Sequence, residues 1–478
     1  MSDLLWPGDA RSGEICTDAS VLAAMLRVES AWLDSSPLSA APPALDAPAS
    51  GSSGSASPGS GPFGSGLLEL AGPDDLADLA AAAEEGGNPV IPLLALLRSR
   101  LGDDPRAASL HRGLTSQDVL DTALVLCLRD AAARIRDDLA AQIVSLAALA
   151  DRHRHTDMAG RTLTQHAVPI TFGLKAAGWL QGVLDARDLL AAAADLPVQI
   201  GGAAGSLAAV VAIEGSPDRA VARVAATAAR LGLPPHQPWH TSRASFTRFG
   251  DALVTCTDAW GRIANDVLTL ARPEIGELSL AQGGGSSAMP NKRNPTLAVL
   301  VRRAALAGPS LAATLHTAAA TMVDERADGA WHVEWATLRT LARRAVTAGS
   351  QTTDMLAGLR VDEQRMAATL AAARPGIDAE QRKYGMAGGA QPDADATGLW
   401  TTGPAGLDSR VESVSSSPGR AGGGDGPVGV RDGSSTRAAS GDPLVSPGGS
   451  ARGGSGRRPY RGATDEIIDA ALKRAGEK

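Results

Sequence analysis

Two hydroxyls, an ammonium and a carboxamide crowd into one short run, Gly283 to Pro295, which reads GGGSSAMPNKRNP. Three glycines open it, so the backbone there can take positive φ angles and act as a loop. Ser286 and Ser287 follow, then Lys292. Asn294 and Pro295 close the run as a cap residue and a ring suited to a first helical position. Beyond them Leu297, Leu300, Val301, Ala304 and Ala305 recur at helical spacing. The run therefore reads as a loop that delivers donors beside a helix N-terminus, a place where anionic groups bind well. Taken apart, its pieces are ordinary: Gly-Ser stretches are usually linkers, and Asn-Pro usually starts a helix.

A second cluster is His111 to Ala123, HRGLTSQDVLDTA. Thr115 and Asp118 have capping-box spacing, with Asp in place of the usual Glu. Thr115, Ser116 and Gln117 then lie at the positive end of a helix continued by Leu120, Ala123, Leu124, Cys127 and Leu128. A third, Gly160 to Pro169, is GRTLTQHAVP, with Pro169 expected to begin a long apolar helix through Trp179 to Leu196. A fourth, Asp324 to Trp335, packs charges, two tryptophans and a histidine together. Such a cluster also suits a plain polar helix end. His153 and His155 are two residues apart, poor spacing for metal ligands on a helix, and are expected on a solvated face.

The elements that must hold these clusters are helical. Amphipathic spacing marks residues 17–34, 74–85 and 92–100, then long runs up to about 359, and strand patterns are scarce. We expect an all-α fold: a helical N-terminal domain (1–104) with a low-complexity loop at 47–66, and a central long-helix bundle (105–360). Remnants of a helical C-terminal domain are expected at 361–382 and 462–478. Between them, 383–461 is low in complexity, and its Gly-, Ser-, Pro- and Arg-rich part has too few large apolar groups to offset the entropy of ordering. It reads as a disordered insertion or as a compensated frameshift, because helical pattern stops abruptly there and later resumes.

Composition excludes several classes. A net charge of −7 over 478 residues gives no basic excess for nucleic acid. Three cysteines, widely separated in sequence and without metal spacing, give no disulfide framework and suit a reducing cytoplasm. No signal-peptide pattern opens the chain, and the least charged stretch, 196–213, is short for a membrane span. The glycine-rich run lacks the Gly-Lys-Ser/Thr ending of a phosphate loop.

The whole string from Gly285 to Asn294 resembles the GSSxMPxKxN signature of the fumarase/aspartase superfamily, and HRGLTSQD is similar to its HxGxTSxD segment. Within that superfamily LLWPGDARSGEI, LPVQIGGAAGSLAA, PWHTSR and ERADGAWHVEW resemble the bacterial 3-carboxy-cis,cis-muconate cycloisomerases. Superfamily lyases read GRTHxQ where this chain has Leu163. The cycloisomerase subgroup also lacks that histidine, usually carrying Trp there.

The resemblance implies a fumarase/aspartase-like all-α fold and a homotetramer whose sites are shared between subunits. It implies a small polycarboxylate substrate and no cofactor or metal. The reaction implied is lactonisation of 3-carboxymuconate in aromatic catabolism, through a carbanion stabilised by a carboxylate and surrounding donors. Ser286 would transfer the proton, with Lys292 stabilising its alkoxide and His111 as a further catalytic group. Thr115, Ser116, Gln117, Thr162, Gln165 and Asn294 would bind substrate, and Arg326 would hold the extra carboxylate. A fumarate-releasing lyase and a non-catalytic structural relative are the rival readings.

Overall fold

The computed structural model describes residues 3–35, 66–281, 283–377, 383 and 462–477. All belong to one of the two units into which the chain divides, residues 1–389 with 461–478. The low-complexity loop, almost all of 383–461 and the fate proposed for each lie outside the described residues.

The helices in chain order are α1 (Asp18–Asp34), α2 (Leu76–Gly86), α3 (Val90–Leu101), α4 (Arg106–Ser109) and α5 (Ser116–Arg152). A hairpin of β1 (Asp157–Thr162) and β2 (Gln165–Thr171) separates α5 from α6 (Phe172–Ala193). Then come α7 (Ala208–Glu214), α8 (Pro217–Leu231), α9 (Ala244–Leu270), α10 (Thr296–Ala320) and α11 (Gly329–Ala357). A short antiparallel pair, β3 (Leu278–Leu280) with β4 (Leu359–Val361), ties the ends of α9 and α11. Last are α12 (Glu363–Ile377) and α13 (Thr464–Gly476).

Helices α5, α6, α9, α10 and α11 pack on one another as the bundle expected from sequence. Its core is closed by Trp260, Phe172, Phe246 and Phe249, all fully buried, while α1 lays Trp32 against it. Some polar groups inside that core are paired across helices. Trp260 donates its indole N–H to Gln142 Oε1 at 2.7 Å, and the Gln142 amide in turn reaches the Gly349 carbonyl at 3.0 Å.

Several boundaries differ from expectation. The helix read as far as Leu128 continues unbroken to Arg152 as α5, whose 37 residues span about 55 Å at 1.5 Å per residue. Pro169 does not begin a helix. It sits in β2 opposite Ala159, and the helix begins at Phe172, capped by Thr171 Oγ1 accepting from the Leu174 N–H. A two-residue turn allows the chain to double back there, and proline is tolerated because this two-stranded sheet consists of edges. His153 lies buried rather than on a solvated face, 3.3 Å from Glu363 and edge-on to Phe172, and burial lowers its pKa.

Chain direction fixes the ends of the bundle. Arg243, just before α9, bonds Asp121 near the start of α5, whereas Glu277, just after α9, bonds Arg161 in the hairpin that follows α5. Helices α5, α9 and α11 therefore run one way, and α6 and α10 return.

Candidate active site

At the first end of the bundle, Thr115 takes extended backbone angles and caps α5 with the capping box read from sequence. The Asp118 carboxylate does far more than cap. Besides the Thr115 N–H at 3.0 Å, it accepts from the N–H groups of Gly201 and Gly202, both at 2.9 Å. It also meets the Gln199 amide at 3.2 Å and His240 Nε2 at 2.9 Å. One buried carboxylate thus pins the LPVQIGGAAGS and PWHTSR segments to the helix start.

Against this frame Arg326 hydrogen-bonds Thr115 Oγ1 and the Ala203 carbonyl, the latter at 3.3 Å. His111 sits beside them with φ +63°, its Nδ1 2.6 Å from Glu29 of α1. Ser116 is half-buried at the same end. Gln117 is fully buried, its amide engaged by Asp121 at 3.1 Å and the His240 carbonyl at 2.8 Å. Of the charged cluster at 324–335, Arg326 reaches Thr115 and Glu334 reaches Arg243. The tryptophans pack at the start of α11, and Trp331 donates to Asp121 at 2.9 Å.

Beneath lies a group that sequence reading did not single out. Arg243, fully buried, is forked between Asp121 on α5 and Glu334 on α11, with closest contacts of 2.6 Å to each. Burial acts against its charge, but the two carboxylates overcome this and raise its pKa. Burial also raises that of Glu334, against the pull of Arg243. Single charges on otherwise apolar helix faces, Asp121 above all, were the available sequence signal.

At the second end, Leu163 and Thr164 form the hairpin turn with φ of +48° and +69°, leaving Thr162 and Gln165 exposed on either side. Leu163 stands 95% exposed, an apolar tip aimed away from its own chain. Arg161 braces the hairpin through paired bonds of 2.7 and 3.0 Å to the buried Glu277.

The serine loop leaves the same end. Its neck is closed by Gly284 and Asn294, which exchange two backbone hydrogen bonds of 2.9 Å. A Cβ on Gly284 would fall 2.0 Å from Thr296 Oγ1, so glycine is required there. Asn294 is therefore a loop brace and not the helix cap expected, because its backbone is taken by Gly284; Pro295 holds the cap position and α10 begins at Thr296. Its side-chain amide also bonds the Gly285 carbonyl at 3.2 Å. Ser286 Oγ accepts from the Met289 N–H at 3.1 Å and the Ala288 N–H at 3.4 Å. Two N–H donors on one hydroxyl oxygen favour its alkoxide form. Lys292 is exposed, and among the described residues its ammonium has no ion-pair partner.

The structure thus gathers His111, Thr115, Ser116 and Arg326 at one end of the bundle and Thr162, Gln165, Ser286, Lys292 and Asn294 at the other. The length of α5 keeps the two groups apart within one chain.

A protein-family model described as Lyase matches residues 97–307. The chain is 40% identical over 321 residues to a 3-carboxy-cis,cis-muconate cycloisomerase of Bradyrhizobium diazoefficiens, covering 66% of this chain and 70% of that one. It belongs to the fumarase/aspartase superfamily. Another superfamily relative, a nitrosuccinate lyase of Streptomyces davaonensis, is 48% identical over 315 residues, covering 64% of this chain and 66% of its own. These matches span about two thirds of each relative's length. The fold is that of the 3-carboxy-cis,cis-muconate lactonizing enzyme from Pseudomonas putida, at TM-score 0.64 and 32% identity over 77% of this chain and 78% of that one. A fumarate lyase from Mesorhizobium superposes at TM-score 0.66 and 28% identity, over 79% and 81% of the two chains. The relatives' names include both lyases and cycloisomerases.

Proposed function

We propose that the protein transfers a proton at a carbon next to a carboxylate of a small polycarboxylate, while a bond at the neighbouring carbon forms or breaks. The observation that carries this reading is the Ser286 oxygen, held by two backbone N–H groups in a loop that also bears the exposed Lys292 ammonium. A serine can act as acid or base near neutral pH only where its alkoxide is stabilised, and these groups supply that stabilisation. Arg326, held at Thr115 beside the N-terminus of α5, suits a substrate carboxylate.

Lactonisation of 3-carboxymuconate fits this chemistry: a substrate carboxylate adds to the alkene and Ser286 protonates the carbon beside another carboxylate. The nucleophile is already part of the substrate, so positioning supplies much of the acceleration. A second reading is favoured by the relative at 48% identity. There Ser286 removes a proton from nitrosuccinate, nitrite leaves the adjacent carbon, and an unsaturated dicarboxylate remains. The two reactions run the same proton transfer in opposite directions.

The working site joins the two ends of different subunits in a homotetramer. Helix α10 supports this, since it leaves Leu306 71% and Val299 50% exposed along a helix otherwise apolar enough to cross a membrane. A second copy of the chain is the natural cover for such a face. Purified protein given each substrate in turn decides between the readings: loss of conjugated absorbance marks the cycloisomerase, and nitrite release marks the lyase. Neither signal from a folded oligomer would sink both.

A further inference from the structure

The contact between α1 and the segment before α5 has a purpose that packing alone does not explain. Glu29 is fully buried, and its Oε1 lies 2.6 Å from His111 Nδ1. Among the described residues its Oε2 has no hydrogen-bond partner. A carboxyl group so enclosed is costly unless its one partner satisfies it well. Three residues further along the same helix, Trp32 donates its indole N–H to the Arg112 carbonyl at 2.9 Å. Residues three apart share a helix face, so one face of α1 grips both the side chain at 111 and the backbone at 112. His111 itself is held at φ +63°, a left-handed conformation that a residue with a Cβ keeps only where its surroundings impose it. Gly113, at φ +91°, completes the bend that leads into Thr115.

We propose that Glu29 is the positioning residue of this site: its buried carboxylate fixes the proton of His111 on Nδ1 and leaves Nε2 as the ring atom that faces substrate. A carboxylate can only accept a hydrogen bond, so the nitrogen it meets must donate. The tautomer of an imidazole is set by the bond that its other nitrogen makes. With Nδ1–H held, Nε2 carries the lone pair and can accept a hydrogen bond or a proton from substrate. If it takes a proton, the Glu29 charge stabilises the imidazolium that results. This role rests on the reading that His111 faces substrate, but the tautomer itself does not depend on which substrate is used.

The experiment is nitrogen NMR on the ligand-free, full-length oligomer labelled in histidine, with the His111 signals identified by their loss in His111→Asn. We expect a protonated Nδ1 and an unprotonated Nε2 in the neutral ring. Glu29→Gln should mix the two tautomers, because an amide can accept from or donate to the ring. It should also lower kcat by roughly 10- to 100-fold, as expected for a lost supporting partner, with KM changed less. Two results would overturn the proposal: Nε2–H as the tautomer of the unmodified protein, or Glu29→Gln leaving both the tautomer and kcat unchanged. The measurement on the unmodified protein decides the matter even if Glu29→Gln fails to fold. Failure of both substrates with the expected tautomer would count against the proposed reaction and leave the Glu29 contact standing.

Discussion

The two ends of the bundle are built on opposite principles. At the Thr115 end polar groups hold one another in place: Asp118 gathers five donors, Arg243 is locked between two carboxylates, and Glu29 grips His111. At the hairpin end the candidate groups stand out from the chain. Leu163 is 95% exposed, Lys292 has no ion-pair partner among the described residues, and Ser286 is held only by amides of its own loop. Substrate recognition by charge needs a rigid frame, because a misplaced guanidinium loses its paired geometry. Proton transfer needs a group that can close onto a bound molecule, and loops supply such motion. The contrast predicts that substitutions at the first end damage binding and folding, whereas those at the second damage turnover and leave the fold intact.

Ser286→Ala tests the second half of that statement most severely. Turnover should fall about 10²- to 10⁴-fold with little change in KM, as for a lost general acid–base group. The melting temperature should not move, because among the described residues Ser286 bonds nothing beyond its loop. Near-normal turnover would transfer the proton-transfer role to Ser287 or His111.

Arg243→Met tests the first half. It leaves Asp121 and Glu334 facing each other in the core, and about 3–5 kcal/mol of stability should be lost, read from a denaturant midpoint or from loss of soluble protein. A variant as stable as the parent would mean that water reaches the triad and the frame is looser than drawn.

Arg326→Lys should be milder. The ammonium keeps the charge but loses the fork, so KM should rise on the order of tenfold, about 1.4 kcal/mol, with kcat less affected. An unchanged KM would place the substrate carboxylate elsewhere.

A complementation assay asks whether the two ends meet across subunits. Ser286→Ala and Arg326→Ala oligomers, each inactive, should regain activity when dissociated together and reassembled, because some sites then draw both intact ends from different chains. No recovery from confirmed mixed oligomers would show that each chain supplies its whole site.

Leu163→Ala should have the smallest effect on the fold. With the side chain exposed, stability should change by less than about 0.5 kcal/mol. A rise in KM alongside that unchanged stability would place the hairpin tip against substrate in another subunit.

Sequence alone determined the fold class, the bundle and the placing of the candidate groups on four segments. Each of these rests on local physics: helical spacing of apolar residues, a capping pair at Thr115 and Asp118, and glycines where a loop must turn. Pro169 was misread, since an apolar run after a proline looks the same whether it opens a helix or closes a hairpin, and only pairing with Ala159 decides. Tertiary structure alone revealed that Asp118 holds three segments, that Arg243, Asp121 and Glu334 form one buried group, and that Glu29 meets His111 across 82 positions of sequence. No local pattern encodes such contacts. They depend on which residues long helices carry past one another, and the length of α5 separates the two groups of candidate residues within a single chain.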